Sequence, residues 1–267
     1  MTQVPEPRKE SKMRLDWNER ALSNALYAID ASRRKWDIDE FYSKGPDIVE
    51  AIVDPVLNFL DVDPKGCTVL EIGCGIGRLF AALSQRFSYI IGIDVSDGMI
   101  NMGKEFCPIP AKWIVGDGIS LSGIEKDSVD HVLSYEVFQH VPDHGVIANY
   151  IQEIGRVLLP GGTFQLQLRK GSDTKRQELV RRLPRLGRTV AGHVLHFAGI
   201  LPVRGDVDTW LGIVLPPSEA LALSRPVGFI DLQILPDRMH APEMGYWLIG
   251  RKPQILNDKR IELAHEH

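Results

Sequence analysis

The sequence is poor in cysteine: three residues in 267, Cys67, Cys74 and Cys107, form no paired framework. That excludes a disulfide-stapled small fold and makes a reducing, cytoplasmic setting the expected one. Long apolar runs are also missing. The longest, near 193–203, is too short to cross a bilayer, and the polar, proline-bearing start at 1–16 has no apolar signal core. Positive charge is not in excess. A formal net charge of -4 gives no global pull toward nucleic acid. No internal repeat stands out. His193 and His196 lie three apart, but no carboxylate or cysteine joins them at ligand spacing, so no metal site is expected.

What is present is an ordinary globular composition, 44% hydrophobic and 25% charged, long enough for one core with an added cap. Its most informative stretch is Val69-Leu70-Glu71-Ile72-Gly73-Cys74-Gly75-Ile76-Gly77-Arg78. The apolar run Thr68–Leu70 reads as a buried strand, and the glycine turn passes into a helix expected from about Gly77 to Gln85. Glycines at such a turn let backbone approach a ligand, and a helix N-terminus there favours polar or anionic groups. A dinucleotide loop, G-x-G-x-x-G, would need its third glycine at position 78, which is Arg78. The pattern is instead E-x-G-x-G-x-G, and Cys74 within it reads as a small filler.

That variant resembles motif I of the class I S-adenosylmethionine (SAM)-dependent methyltransferases, of the small-molecule branch. The resemblance is strong from about Thr68 to Leu168 and returns faintly near the C-terminus. It implies a Rossmann-like α/β fold: a seven-stranded, mostly parallel sheet with an antiparallel C-terminal strand, helices on both faces, an N-terminal helical lid and an insertion after the fifth strand. The cofactor implied is SAM, leaving as S-adenosylhomocysteine (SAH), cradled by Glu71, Gly73, Gly75 and Gly77.

The other strand ends fit this reading. Tyr89–Ile93 forms a second apolar strand ending at Asp94, about twenty residues past Gly73, where the acid that accepts ribose hydroxyls is placed. Val95 follows, Ser96 or Asp97 can cap the next helix, and Met99 either lies against adenine or is plain core. A third strand, Lys112–Val115, runs into Gly116-Asp117-Gly118, whose acid bonds the adenine amino group in the family. Taken alone, Asp117 is a turn former. A fourth strand, Asp130–Ser134, leads through Tyr135 and Glu136 to His140-Val141-Pro142-Asp143, resembling the family's fourth motif. A helix over 145–158 is stopped by Leu159-Pro160-Gly161-Gly162, and Thr163–Leu168 is the fifth strand.

Residues 1–62 read as an N-terminal helical segment or lid, with helices at about 15–36 and 47–59. Tyr27 and Trp36 are candidate substrate-lid residues, although aromatics at such positions are also core. Residues 63–251 read as the methyltransferase domain and 252–267 as a polar tail. Within the domain, 171–212 is the substrate-side insertion. The 169–188 stretch is cationic, either a solvated face or a collar for an anionic acceptor. The apolar run at 194–201 could wall an acceptor pocket or rest on a membrane surface. A helix at 216–224 and strands at 228–234 and 244–250 complete a closing antiparallel pair, which a dehydrogenase lacks.

The expected reaction is methyl transfer to a small molecule, most simply an oxygen nucleophile, for which a base should stand at the pocket mouth. His140 is the first candidate, either as base or as an orienting group, with Glu136 beside it and His240 a second candidate. The segment Tyr135-Glu136-Val137-Phe138 lacks the Asn/Asp-Pro-Pro-aromatic tetrad of enzymes acting on adenine or amide nitrogens. Nitrogen methylation of a small molecule, a nicotinamide oxidoreductase and a SAM-binding protein without turnover are the alternatives.

Overall fold

The computed structural model describes residues 9–170, 212–240 and 245–254. The basic and apolar stretches between 171 and 211, and the tail after 254, lie outside the described residues. Four helices come first: α1 (Lys9–Ile29), α2 (Ile38–Ser43), α3 (Gly45–Ile52) and α4 (Asp54–Phe59). There follow β1 (Thr68–Ile72), α5 (Phe80–Leu83), β2 (Tyr89–Asp94), α6 (Asp97–Phe106), β3 (Lys112–Val115) and β4 (Val129–Ser134). The chain continues as α7 (His144–Val157), β5 (Leu158–Arg169), α8 (Pro217–Ser224), β6 (Ile230–Pro236) and β7 (Gly245–Arg251).

The strands form one sheet in the order β3-β2-β1-β4-β5-β7-β6. The pairs from β3 through β5 are parallel, and β7 runs antiparallel to both β5 and β6. This is the expected seven-stranded, mostly parallel sheet with one antiparallel C-terminal strand. Central strands covered on both faces must be apolar on both. Accordingly Leu70, Val132 and Leu248 pack in one cluster with Ile147, Ile151 and Ile154 of α7 and Ala220 of α8. Val69, Leu133 and Ile249 point the other way, onto Val49 and Ile52 of α3, Val56 and Leu57 of α4, and Phe80 and Leu83 of α5. Each such fully buried aliphatic side chain contributes roughly 1.5–3 kcal/mol. Strand order reverses between β1 and β4, and the carboxyl edge of strands at such a reversal is where open α/β sheets bind ligands.

Several sequence expectations needed correction. The helix expected over 77–85 is only Phe80–Leu83. It is flanked by tight turns such as Phe80 N to Gly77 O and Ala82 N to Leu79 O, both 3.1 Å. No long helix therefore points its N-terminus at the glycine loop. The stop at Leu159–Gly162 is not a separate turn, because β5 is continuous from Leu158 and absorbs it as a register shift opposite Val129 and His131. The helix expected to reach Trp36 ends at Ile29. Within α1, Asn24 breaks the helix in an extended conformation, and its side chain accepts from Tyr27 N at 3.2 Å, restarting the helix as a cap would. The segment expected at 47–59 divides at Val53 into α3 and α4, each with proline in its first turn.

Candidate cofactor and acceptor site

The carboxyl edge of β1, β2 and β3 gathers the residues expected at a cofactor site. Gly73 N and Cys74 N both donate to Ile93 O, at 2.7 and 3.2 Å, which staples the glycine loop to the end of β2. Gly116 N donates to Asp94 O at 2.7 Å and draws in the end of β3. Asp94 is the hub: its Oδ2 accepts from Gly75 N at 2.9 Å and its Oδ1 from Ser96 N at 2.9 Å. Burial raises the Asp94 carboxyl, and these backbone donors oppose the rise. Gly73 and Gly77 hold φ of 72° and 78°, where a side chain is strained. A Cβ on Gly73 would also overlap Val137.

Two expected ligands have other occupations. Met99 is 1% exposed and packs with Ala21, Ala25, Phe41 and Ile76, which is the core reading of that residue. Asp117 closes its own turn, accepting from Ile119 N, Ser120 N, Ser120 Oγ and Ser122 Oγ at 2.6–3.3 Å. These bonds outweigh burial and hold its carboxyl below the usual range. A direct bond from Asp117 to adenine would compete with these donors. Val95 and Gly118 lie side by side: a Cβ on Gly118 would come within 3.0 Å of Val95.

Helix α1 lies across the same edge. Arg14 Nη2 donates to Gly116 O at 2.5 Å, and Asn18 accepts from Ser96 Oγ at 2.6 Å and donates to Asp97 Oδ1 at 2.6 Å. A Cβ on Gly75 would sit 3.1 Å from Ile29 Cδ1. Trp17 meets His140 edge-on. One helix thus touches the ends of β1, β2, β3 and β4. Of the two expected lid aromatics, Trp36 donates through Nε1 to Asp30 O at 2.8 Å and meets Phe41 edge-on, so it shapes the turn after α1. Tyr27 lies in the restarted end of α1, half-buried.

Around β4 and β5 lies a chain of charges. His240 bonds Glu136 Oε1 through Nε2 and Asp237 Oδ2 through Nδ1, both at 3.0 Å. Those two hydrogen bonds, Asp237 first, push its imidazole up to about 10 against the effect of burial. His240 is therefore an imidazolium near neutral pH with both nitrogens donating, which makes it an orienting group rather than a free base. Gln167 completes the frame, donating to Asp237 Oδ2 at 2.6 Å and accepting from Glu136 N at 2.7 Å. Glu136 itself has a φ of 59°, an uncommon value for a residue with a side chain, and such outliers cluster at functional sites. Tyr135 stacks on Trp247 at 6.1 Å and faces His240, and it follows Ser134, the β4 residue paired with Ile72 before the glycine loop.

Sequence reasoning passed over Arg78, Asp30, Asp237 and Gln167. Arg78 is 6% exposed and pairs with Asp30 at 3.0 Å and with Glu136 at 3.8 Å. An arginine at position 78, where a dinucleotide loop would carry its third glycine, was the available signal.

The residues fit SAM. Glu71 is buried, and its Oε2 has no hydrogen-bond partner. Burial, partly offset by Arg78, pushes its carboxyl up to about 8. An unpartnered buried carboxyl, glycines held at positive φ and a backbone-held acid at Asp94 suit a ligand with an amino-acid end and a ribose. Among the described residues there is no cluster of His, Cys, Asp or Glu that could hold a metal ion. Nor is any described helix long and apolar enough to cross a membrane.

Residues 70–166 match a family model described as a methyltransferase domain. A 2-methyl-6-phytyl-1,4-hydroquinone methyltransferase of Synechocystis sp. is 38% identical over 106 residues, 39% of this chain and 32% of the relative. The mitochondrial ubiquinone biosynthesis O-methyltransferase of Bos taurus is 28% identical across 90% of this chain and 63% of its own length. The chain thus spans less than two thirds of these curated relatives. Among solved structures, a phosphoethanolamine N-methyltransferase 2 of Haemonchus contortus, in complex with phosphomonomethylethanolamine and SAH, superposes with a TM-score of 0.62. It is 16% identical, with 94% of this chain and 62% of that chain covered, and shows a shared fold.

Proposed function

We propose that this chain, which carries a class I SAM-dependent methyltransferase domain with SAM as its cofactor, methylates a small molecule on an oxygen atom. The observation that carries the proposal is the meeting of two sets of groups at one sheet edge. The cofactor set is Glu71, Gly73, Gly75, Gly77, Asp94, Val95, Gly116, Asp117 and Gly118. The acceptor set is Tyr135, Glu136, His140 and His240, placed where β4 ends beside the glycine loop. One of the named relatives is an O-methyltransferase, which supports a hydroxyl acceptor.

SAM supplies an electrophilic methyl on a sulfonium, displaced in line. The chain's part is to hold the acceptor oxygen about 3 Å from that carbon, exclude water and remove the hydroxyl proton. Helix α1 excludes water by covering the edge. Tyr135 offers an aromatic face, backed by Trp247, to a planar acceptor. Glu136, held by His240 and Gln167, orients the hydroxyl. His140, half-buried beneath Trp17, takes the proton, since imidazole is a base near neutral pH. The cationic residues at 169–188 support an anionic acceptor by charge alone, and a cytoplasmic setting follows from the cysteine usage.

Titration with SAM and SAH is the first test, and no binding to either at high micromolar concentration would overturn the reading. Incubation with methyl-labelled SAM and a metabolite extract, followed by mass analysis, then names the acceptor atom. A methylated amine would favour the second reading, nitrogen methylation, which the N-methyltransferase structural neighbour supports at the level of fold.

A further inference from the structure

Arg78 ties the covering helix to the acceptor side. Its Nη1 pairs with Asp30 Oδ2 at 3.0 Å, and Asp30 directly follows α1, its N–H donating to Leu26 O at 2.9 Å. Its Nη2 reaches toward Glu136 Oε2 at 3.8 Å, while Glu136 Oε1 holds His240 at 3.0 Å. The guanidinium lies over the Phe41 ring of α2, 5.2 Å from the centroid. Both of its carboxylate partners come from outside the glycine loop: one from the turn after α1, one from the segment that follows β4. A cation this deeply buried is costly unless fully paired, and the fork of an arginine can serve two carboxylates at once.

We propose that Arg78 is a positioning residue that couples closure of α1 over the cofactor to the aim of the Glu136 carboxylate. The idea rests on the methyltransferase reading for its meaning, but the coupling itself is a property of the ligand-free protein. When α1 is seated, Asp30 holds one end of the guanidinium, and the other end fixes which way Glu136 faces. When α1 lifts, Arg78 turns wholly to Glu136 and draws it from His240.

The test uses the full chain, with SAH and methylthioadenosine as probes. Amide exchange of residues 17–29 reports α1, and NMR titration of the His240 imidazole reports Glu136; the groups facing His240 are Glu136, Asp237, Gln167 and Tyr135. Asp30→Asn should lower the His240 midpoint and speed α1 exchange about tenfold. In an Arg78→Met background the same Asp30 change should leave the midpoint where it is. Arg78→Lys, which keeps the charge and guards against a misfolded Met variant, should restore part of the coupling. A through-space field would give Asp30→Asn the same effect in both backgrounds, and that result overturns the proposal. So does a loss of SAH affinity with unchanged methylthioadenosine affinity and unchanged α1 exchange, which would make Arg78 a direct ligand of the amino-acid end. If the wild type binds neither probe, the methyltransferase reading fails, and the coupling is still scored in the ligand-free protein.

Discussion

Trp17 on the covering helix meets the His140 imidazole edge-on, with ring centroids 5.3 Å apart and planes at 78°. A side chain from the first thirty residues is thereby placed against a group that follows β4, so the cover and the candidate base form one surface. The contact also separates His140 from bulk water on that side, which favours proton transfer inside a closed site over exchange with solvent.

Replacing His140 by Ala should lower kcat by roughly a hundredfold or more if it accepts the acceptor's proton. Trp17→Ala should cost less and act mainly on acceptor KM. Initial rates with the acceptor found by mass analysis check both. A His140→Ala rate within a few-fold of wild type would exclude the base role and leave Glu136 as the group to test.

Stability should fall with pH across the range set by His240. Its folded-state value is raised from 6.5 to about 10, so its contribution is complete below about 6.5. As pH rises the unfolded chain loses its proton first, and the contribution is lost by about pH 10. His240→Gln should flatten this part of the curve in urea melts at several pH values. Parallel curves for the two proteins would contradict the ion-pair geometry.

Glu71 should set fold stability against ligand binding. Its carboxyl is raised from 4.5 to about 8, so in the absence of ligand stability declines as pH climbs through that range. Glu71→Gln should be the more stable protein near pH 8 and bind SAH more weakly. Tighter SAH binding by the variant would remove Glu71 from the cofactor set.

Gly73→Ala should destabilise the loop by about 1–3 kcal/mol through overpacking. The new methyl would meet Val137 at a φ of 72°, a value that side chains avoid. Val137→Ala should recover part of the loss in thermal melts, but only part, because the backbone strain remains. Full recovery would mean that space alone matters there.

Much of this was legible in the sequence because it is local. The apolar runs of β1 and β2 needed only period and composition, since a strand buried on both faces is apolar throughout. The Ser96 cap and the α7 stripe of Ile147, Ile151 and Ile154 are equally local. The helix after Gly77 was overestimated, because periodicity does not register a loop that turns tightly before packing.

The tertiary structure alone decided the partners of the charged groups. Asp30, Arg78, Glu136 and the local Asp237–His240 pair lie far apart along the chain, and no spacing rule links them. They meet because the reversal of strand order between β1 and β4 brings separate crossovers to one edge, and because α1 folds back over it. The sequence by itself determined which strands exist and which polar groups stand at their ends. Which carboxylate is orphaned, which histidine is held as a cation and which arginine joins the cover to the acceptor side depend on burial and long-range pairing, which exist only once the chain has folded.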